Sequence, residues 1–492
     1  MNKEEKNKII SYKKLLLVGV LVLLITVGFY HSYLKNVPEG INYKGSEIKV
    51  SEEDVSFLYD ITYKDNKGEK VYEQEIFSEI FKAIDGAEEY ILIDMFLFND
   101  WLGKEKSSYL KLSSDLTNAL VEQKNKNPDL KIDFITDPIN TVYGGASNSN
   151  IEKLRSNGVN VIITDLQPLK DSNPVYSSIW RTFFQWWGDG SQSGWLPHPF
   201  SKEASKISLR SYLKFLNFKA NHRKILLADS SDQFVSIILS ANPHDSSSAH
   251  SNVALKIVNN DFAIDLYKSE QAVAVMSDSN LQEVEIKKSE LRDVENPVKV
   301  QLLTEKEIKN AILENINKTK KGDKIKMAMF YLSDFDIIKT LVDASKREVE
   351  VKIILDPNKD AFGYEKGGVP NRQVASELIK KSKGKIDIRW YSTSGEQFHT
   401  KVTMFEKKEE KIFILGSANL TRRNIDDYNL ESNVLVKTNQ DHLLSDDFLS
   451  YFELIWSNDD GQYTVDYSEY EDNSFLKKYI YKFKEATGMS SF

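Results

Sequence analysis

Two short runs in this chain place an imidazole two residues before an ammonium: Asn221-His222-Arg223-Lys224 and Phe398-His399-Thr400-Lys401. In an extended strand residues i and i+2 face the same side, so each His and Lys would enter one pocket together. From Lys224 to Ser240 is 16 positions, as is Lys401 to Ser417, and an Asn follows each Ser two residues later, at Asn242 and Asn419. The Ser hydroxyls and Asn amides can donate hydrogen bonds to oxygens of an anionic group held by the lysines. Two His, two Lys and two Asn around one cleft suit a phosphodiester: one imidazole attacks phosphorus, the other protonates the leaving oxygen, and Lys and Asn hold the charge. At this level the two imidazoles are interchangeable, and the scheme calls for neither a metal nor an organic cofactor. One His-x-Lys alone is ordinarily a surface strand; two with matched Ser-x-Asn offsets are a repeat.

The repeat extends to the elements that must position these groups. Tyr90 to Phe98 parallels Lys324 to Leu332, and Lys131 to Pro138 parallels Lys352 to Pro357; a helix-like stretch precedes each second run, over 113–126 and 336–347. Strand, helix, strand in both halves predicts an α/β class chain with two similar lobes, largely parallel sheets and one bilobal catalytic unit. The expected boundaries are 45–285 and 296–460, joined by a charged connection from Glu283 to Pro297 and followed by a tail over 461–492. An insertion over 166–220 has no counterpart in the second half, and four of the seven Trp fall within the 16 residues from Trp180 to Trp195. Trp favours the bilayer boundary, so Trp180, Trp186, Trp187 and Trp195 read as a surface for lipid; the other reading is a satellite hydrophobic cluster under a long loop.

The duplicated His-x-Lys, four residues, then Asp, with a later Ser-x-Asn, resembles the HKD signature of the phospholipase D superfamily over about residues 50–460. The resemblance implies two α/β lobes around a shared site, a phosphohistidine intermediate, and hydrolysis or transfer of a phosphatidyl group to an alcohol. By position it implies His222 as nucleophile, His399 as general acid and base, and Lys224, Lys401, Asn242 and Asn419 as phosphate ligands, with Ser240 and Ser417 in support. Asp229 matches the motif's acidic position and Glu406 replaces it conservatively; in the family that position is usually structural. Glu431, in Asn429-Leu430-Glu431-Ser432-Asn433, stands where the family places a carboxylate that bonds the second His and fixes its tautomer. The equivalent first-half position holds His250, an imidazole that could orient His222 but would stabilise an imidazolium less than a carboxylate. That departure leaves the division of labour between His222 and His399 open.

Leu15 to Phe29 is apolar apart from Gly19, Thr26 and Gly28, and extending it to Leu34 gives 20 residues. At about 1.5 Å per residue this spans roughly the 30 Å of a bilayer core. Lys3, Lys6, Lys8, Lys13 and Lys14 precede it, which predicts a single pass through the cell membrane with the N-terminus cytoplasmic and the catalytic region outside. A cleaved signal peptide is the other reading, but no clean small-x-small site follows. The 492 residues carry a net charge of −8 and no Cys; disulfides, thiolate metal sites and cysteine nucleophiles are excluded, and nucleic-acid binding by bulk charge is disfavoured. The expected partner is a membrane phospholipid, turned over by hydrolysis or by cardiolipin synthase-like transfer. A membrane-tethered nuclease, with the aromatics stacking on bases, and a catalytically degenerate lipid-binding scaffold are the alternatives. His31, His198, His244 and His442 read as structural or solvated, with His244 close enough in sequence to line the pocket; Asp137-Pro138 and Asp356-Pro357 read as strand ends.

Overall fold

The computed structural model describes residues 3–101, 109–187, 194–201, 204–217, 219–289, 294–361, 364–365 and 367–489. Residues 188–193, 202–203 and 218 of the expected insertion and 290–293 of the expected connection lie outside them.

Two large sheets form the molecule. The first runs Gly461–Gln462, Val55–Asp65, Asn252–Val258, Gln233–Leu239, Lys224–Ser230, Tyr90–Met95, Lys131–Thr136, Asn160–Ile163, with Lys70–Glu73 paired to Val55–Asp65. The second runs Ile48–Val50, Val298–Thr304, Ser432–Thr438, Lys411–Gly416, Lys401–Glu406, Lys324–Met329, Glu350–Leu355, Ile386–Tyr391, Thr464–Asp466. Central strands such as Tyr90–Met95 and Lys411–Gly416 are buried along their whole length, as sheets covered on both faces require. The covering helices are amphipathic. In Phe335–Lys346, Ile337, Ile338, Leu341 and Val342 face inward, and the Asp334 carboxylate caps the first turn by accepting from Asp336 N and Ile337 N, both at 3.0 Å.

The α/β class and the two similar lobes match the expectation, whereas the sheets are mixed and not largely parallel. Parallel pairing is confined to Tyr90–Met95, Lys131–Thr136 and Asn160–Ile163, and to Lys324–Met329, Glu350–Leu355 and Ile386–Tyr391. Those strands are the ones joined by helices. The strands bearing His-x-Lys return through tight turns, pairing Ile225 with Ile238 and Val402 with Leu415 antiparallel, which only antiparallel neighbours allow.

The lobe boundaries also differ from 45 and 460, because the lobes exchange edge strands. Ile48 pairs with Val300 in the second sheet, Gly461 with Asp65 in the first, and Val465 with Trp390 at the far edge of the second. Each exchange covers an edge that would otherwise be open. One buried cluster draws on both lobes, including Phe57, Leu255, Phe398, Val402, Leu430 and Phe448; the Phe448 ring lies 4.1 Å from Phe57 and 4.2 Å from Phe413. The sheets therefore meet through a common core, and groups at their facing ends are held rigidly relative to one another.

The N-terminal helix Lys3–Phe29 continues as a π-turn over Tyr30–Leu34. Among the described residues Lys3–Leu34 is the one helix long and apolar enough to cross a membrane, with mean hydropathy 2.2 over its most apolar 18 residues. Its end docks on helix Pro174–Ile179, where a Cβ on Gly28 would come within 2.6 Å of Pro174 O. Glycine at that position is what permits the contact.

Candidate active site

His222 and His399 each stand just ahead of a strand that carries the paired lysine, and each of those loops is tied to the opposite lobe. His222 N donates to Leu430 O at 2.9 Å, and Ser251 N donates to Gln397 O at 3.1 Å. From below, Asp137 accepts from Asn221 N at 2.6 Å and Asp356 accepts from Phe398 N at 2.8 Å. The two Asp-Pro turns thus anchor the residue preceding each His, a role beyond ending a strand.

Around these anchors the halves match nearly atom for atom. Lys224 Nζ donates to His222 O and Lys401 Nζ to His399 O, both at 2.7 Å. Phe96 lies 4.7 Å from the His222 ring and 5.1 Å from Lys224 Nζ; Phe330 lies 4.9 Å from His399 and 5.2 Å from Lys401 Nζ. All four basic side chains and both Asn are buried. The amides of Asn242 and Asn419 make no hydrogen bond to the described residues, with each Oδ1 buried and unpartnered. Buried amides in that state are suited to a ligand that arrives later.

The imidazoles are oriented across the lobes, and here the structure corrects the sequence reading. Glu431 holds His222, not His399: Nδ1 of His222 lies 2.9 Å from each of its carboxylate oxygens. His399 is held by Asn252, whose Oδ1 accepts from Nδ1 at 3.1 Å while its Nδ2 donates to His250 O at 3.1 Å and so fixes the amide's orientation. His250 does not orient His222; its Nδ1 accepts from Gln397 N at 3.2 Å, and its ring lies 6.0 Å from that of His399. The first-half counterpart of Glu431 is therefore Asn252. Asn242 to Asn252 is 10 residues whereas Asn419 to Glu431 is 12, and that two-residue difference in loop length displaces an alignment made on the Ser-Asn-Val likeness.

Ser240 and Ser417 depart from the expected contact with phosphate. Ser240 Oγ donates to Asn252 Oδ1 at 3.1 Å, and Ser417 Oγ donates to Glu431 Oε2. Each hydroxyl proton is committed to the group that orients the opposite His, while Val253 N and Ser432 N donate to the same Oγ atoms at 3.0 and 2.9 Å. Asn424 Nδ2 donates to the other Glu431 oxygen. Asp229 and Glu406 face away from the cleft. Asp229 accepts from Glu88 N, Glu89 N and Tyr90 N at 3.0, 3.0 and 2.7 Å, and Glu406 pairs with Lys326 at 2.6 Å.

Arg223, between His222 and Lys224, is a brace that sequence reading passed over. It is fully buried, with Nη1 3.1 Å from Glu270 and Nη2 2.8 Å from Glu305 of the second lobe. The same Glu305 Oε1 accepts from Glu431 N at 3.0 Å, so one carboxylate ties the first motif to the backbone of the residue that orients His222. Glu305 holds this position at φ 44°, a strained geometry for a non-glycine residue.

The electrostatics of the two halves differ. Burial pushes His222 down to about 4, opposed by the Glu431 carboxylate. His399 is lowered well below its ordinary value by burial and then by Lys401, with His250, Lys224 and His222 adding to the effect. Burial brings Lys224 down to about 7, and burial followed by Lys224 holds Lys401 well below the ordinary lysine range. Two ammoniums that repel each other in a dry cleft are relieved by an anion between them.

The remaining histidines contact surrounding protein groups. His198 Nδ1 accepts from Phe200 N and Ser201 N at 3.2 and 3.0 Å; buried His244 contacts Ser247 Oγ at 3.0 Å and Trp101 O at 2.9 Å. His442 lies 2.8 Å from Glu52, and His31 O accepts from Asp171 N at 3.0 Å. Of the aromatic insertion, Trp180 is buried and Phe200 stacks on Trp101 at 5.8 Å, as the satellite-cluster reading requires, whereas Trp186, Trp187 and Trp195 are exposed.

Residues 312–456 match the family model described as "Cardiolipin synthase, PLD-like domain"; His399, Lys401, Asn419 and Glu431 lie within the match. Among solved structures, phosphatidylserine synthase from Haemophilus influenzae Rd KW20 superposes with TM-score 0.56 at 12% identity, over 89% of this chain and 94% of its own, a likeness of fold through both lobes. A polyphosphate kinase from Porphyromonas gingivalis gives TM-score 0.44 at 14% identity over 88% and 53%. The phospholipase D family member Nuc from Salmonella typhimurium gives 0.26 at 25% over 34% and 97%. No curated protein matches the chain.

Proposed function

We propose that this chain, which belongs to the phospholipase D superfamily by its matched domain and two-lobe fold, is a membrane-anchored enzyme that hydrolyses phospholipids or transfers their phosphatidyl group to an alcohol. The observation that carries the proposal is the pair of imidazoles oriented across the lobes, His222 by Glu431 and His399 by Asn252, in a buried cleft with Lys224, Lys401 and two unpartnered Asn amides.

In this reading Lys224, Lys401, Asn242 and Asn419 bind the phosphodiester oxygens. The carboxylate of Glu431 keeps the His222 proton on Nδ1, so the lone pair of Nε2 is free to attack phosphorus. As that N–P bond forms, the bond from phosphorus to the headgroup oxygen breaks and His399 Nε2–H protonates the departing oxygen. The neutral His399 then takes a proton from water or an alcohol, whose oxygen attacks phosphorus and releases His222. The substrate's negative charge raises the proton affinity of His399 so that Nε2 takes up a proton, and the surrounding cations and the neutral Asn252 amide leave that proton easy to give up as the charge moves to the departing oxygen. The membrane helix, with a cytoplasmic N-terminus, would hold the cleft at the extracytoplasmic face, close to headgroups.

The test is turnover by the purified full-length protein reconstituted in phosphatidylglycerol or phosphatidylcholine vesicles with chelator present. Headgroup release, with phosphatidylethanol formed when ethanol is added, supports the reading. Cleavage of single-stranded oligonucleotides without lipid turnover overturns it in favour of a nuclease, and inertness toward both overturns it in favour of a scaffold.

A further inference from the structure

The last helix, Phe475–Thr487, has two unlike faces. Tyr481 and Glu485 are buried: Tyr481 Oη donates to Glu377 at 3.0 Å, and Glu485 accepts from Arg422 N at 2.7 Å. On the opposite side Phe475, Leu476, Tyr479, Ile480 and Phe483 are exposed, the first two at 73% and 69%. At 3.6 residues per turn these five fall within an arc of about 140°. Lys477, Lys482 and Lys484 flank the stripe; Lys477 pairs with Asp472 at 2.7 Å and Lys482 with Glu377 at 3.1 Å, which leaves Lys484 as the flanking cation that makes no ion pair with the described residues. A continuous apolar stripe of this kind on a soluble surface marks an interaction site, and Lys484, whose aliphatic stem can lie along it while its ammonium reaches headgroups, suits an anionic lipid surface.

The position of the helix identifies what covers the stripe. Its C-terminal end and the exit of the N-terminal apolar helix are fastened to the same few residues. Arg422 donates to Ala486 O at 2.9 Å and to Tyr428 Oη at 2.7 Å, and Tyr428 Oη reaches Ser32 O at 3.5 Å. On the other side, Asp171 N donates to His31 O at 3.0 Å, and the backbone of Gly488, at φ 67°, lies so close to the neighbouring Ser172 O that a Cβ would overlap it. A 13-residue helix is about 20 Å long, so the whole stripe lies within that distance, along the helix axis, of the Arg422 contact that also holds Tyr428.

We propose that helix Phe475–Thr487 lies in the lipid surface as a second attachment, so that the catalytic unit is held to the bilayer at two points on either side of Tyr428 and does not swing on a single tether. The proposal rests on the reading of Leu15–Leu34 as a membrane span.

The chain has no Cys, so single nitroxide labels are placed cleanly by Leu476→Cys, Phe483→Cys, Lys477→Cys and Leu17→Cys in the full-length protein, reconstituted in vesicles of phosphatidylglycerol and phosphatidylcholine. Collision with oxygen against collision with a water-soluble nickel chelate reads depth. The expected result is an oxygen-to-nickel ratio several-fold higher at 476, 483 and 17 than at 477. Labels at 476 and 483 that meet nickel freely overturn the proposal, and so do labels shielded from both reagents, as a second protein copy would shield them. The label at Leu17 reports the span separately: nickel access there sinks the span whatever the other positions show. As a second readout, Leu476→Glu combined with Phe483→Glu lowers turnover of vesicle lipid several-fold while sparing a water-soluble phosphodiester. Equal loss on both substrates counts against the proposal.

Discussion

The unequal support of the two imidazoles has a measurable consequence. When His222 bonds phosphorus its ring acquires positive charge, and the Glu431 carboxylate lies 2.9 Å from Nδ1 to receive it. With charge centres about 4 Å apart and an effective dielectric constant of about 20, the attraction is about 4 kcal/mol, or roughly 10³-fold in rate. His399 has only the Asn252 amide at 3.1 Å, and a neutral hydrogen bond of about 1 kcal/mol corresponds to roughly fivefold. Glu431→Gln should therefore lower kcat by about three orders of magnitude and Asn252→Ala by about one at most. Asn252→Asp, which supplies the missing carboxylate to His399, should shift the pH–rate profile upward. The assay is headgroup release from vesicles across pH. Melting curves accompany it, because Glu431 also accepts from Ser417 and Asn424. A folded Glu431→Gln variant within tenfold of the wild type, or an Asn252→Ala variant that loses as much as Glu431→Gln, refutes the reasoning.

The free protein should gain stability as pH rises from about 4 to 6.5, because over that window the unfolded chain protonates a histidine at the His222 position while the folded protein, with this His brought down to about 4, does not; chemical denaturation at pH 5 and pH 7 checks the sign. Lys224→Met and Lys401→Met should each raise Tm while removing turnover, since each ammonium is buried, bonds only a carbonyl and is lowered by burial; a fall in Tm in calorimetry would contradict this. Arg223→Met leaves Glu270 and Glu305 buried without their cation, so a loss of about 3–5 kcal/mol is expected in equilibrium unfolding.

Much of the site was legible because its parts repeat. Equal Lys-to-Ser offsets put His222, Lys224 and Asn242 on one footing with His399, Lys401 and Asn419, and those six residues come out as matched halves. Phe96 and Phe330 were visible in the aligned strand runs without their place against His and Lys, since an apolar residue at a strand end carries no chemical signal of its own. The partner of each His was not legible. Glu431 and Asn252 act across the lobe boundary, and one dimension of sequence says nothing about which lobe a loop faces. The shorter loop before Asn252 then shifted the apparent equivalence to His250. The mixed pairing and the exchanged edge strands were hidden for a related reason: strand patterns reveal burial, while the choice of neighbour is settled by connections and by open edges that need covering. Arg223 went unremarked because a charge inside a motif reads as solvent-facing until its two buried carboxylates are seen.

The central claim is that the His222 and His399 rings act on one phosphorus atom, with His222 forming the covalent bond. A p-nitrophenyl phosphodiester needs no protonation of its leaving group, so His399→Ala should release one equivalent of nitrophenol in a burst and then stall. Mass spectrometry of the quenched protein should find the phosphoryl adduct on the peptide containing His222. An adduct on the His399 peptide of the reciprocal variant His222→Ala, or nitrophenol release by His399→Ala without any adduct, would contradict the account.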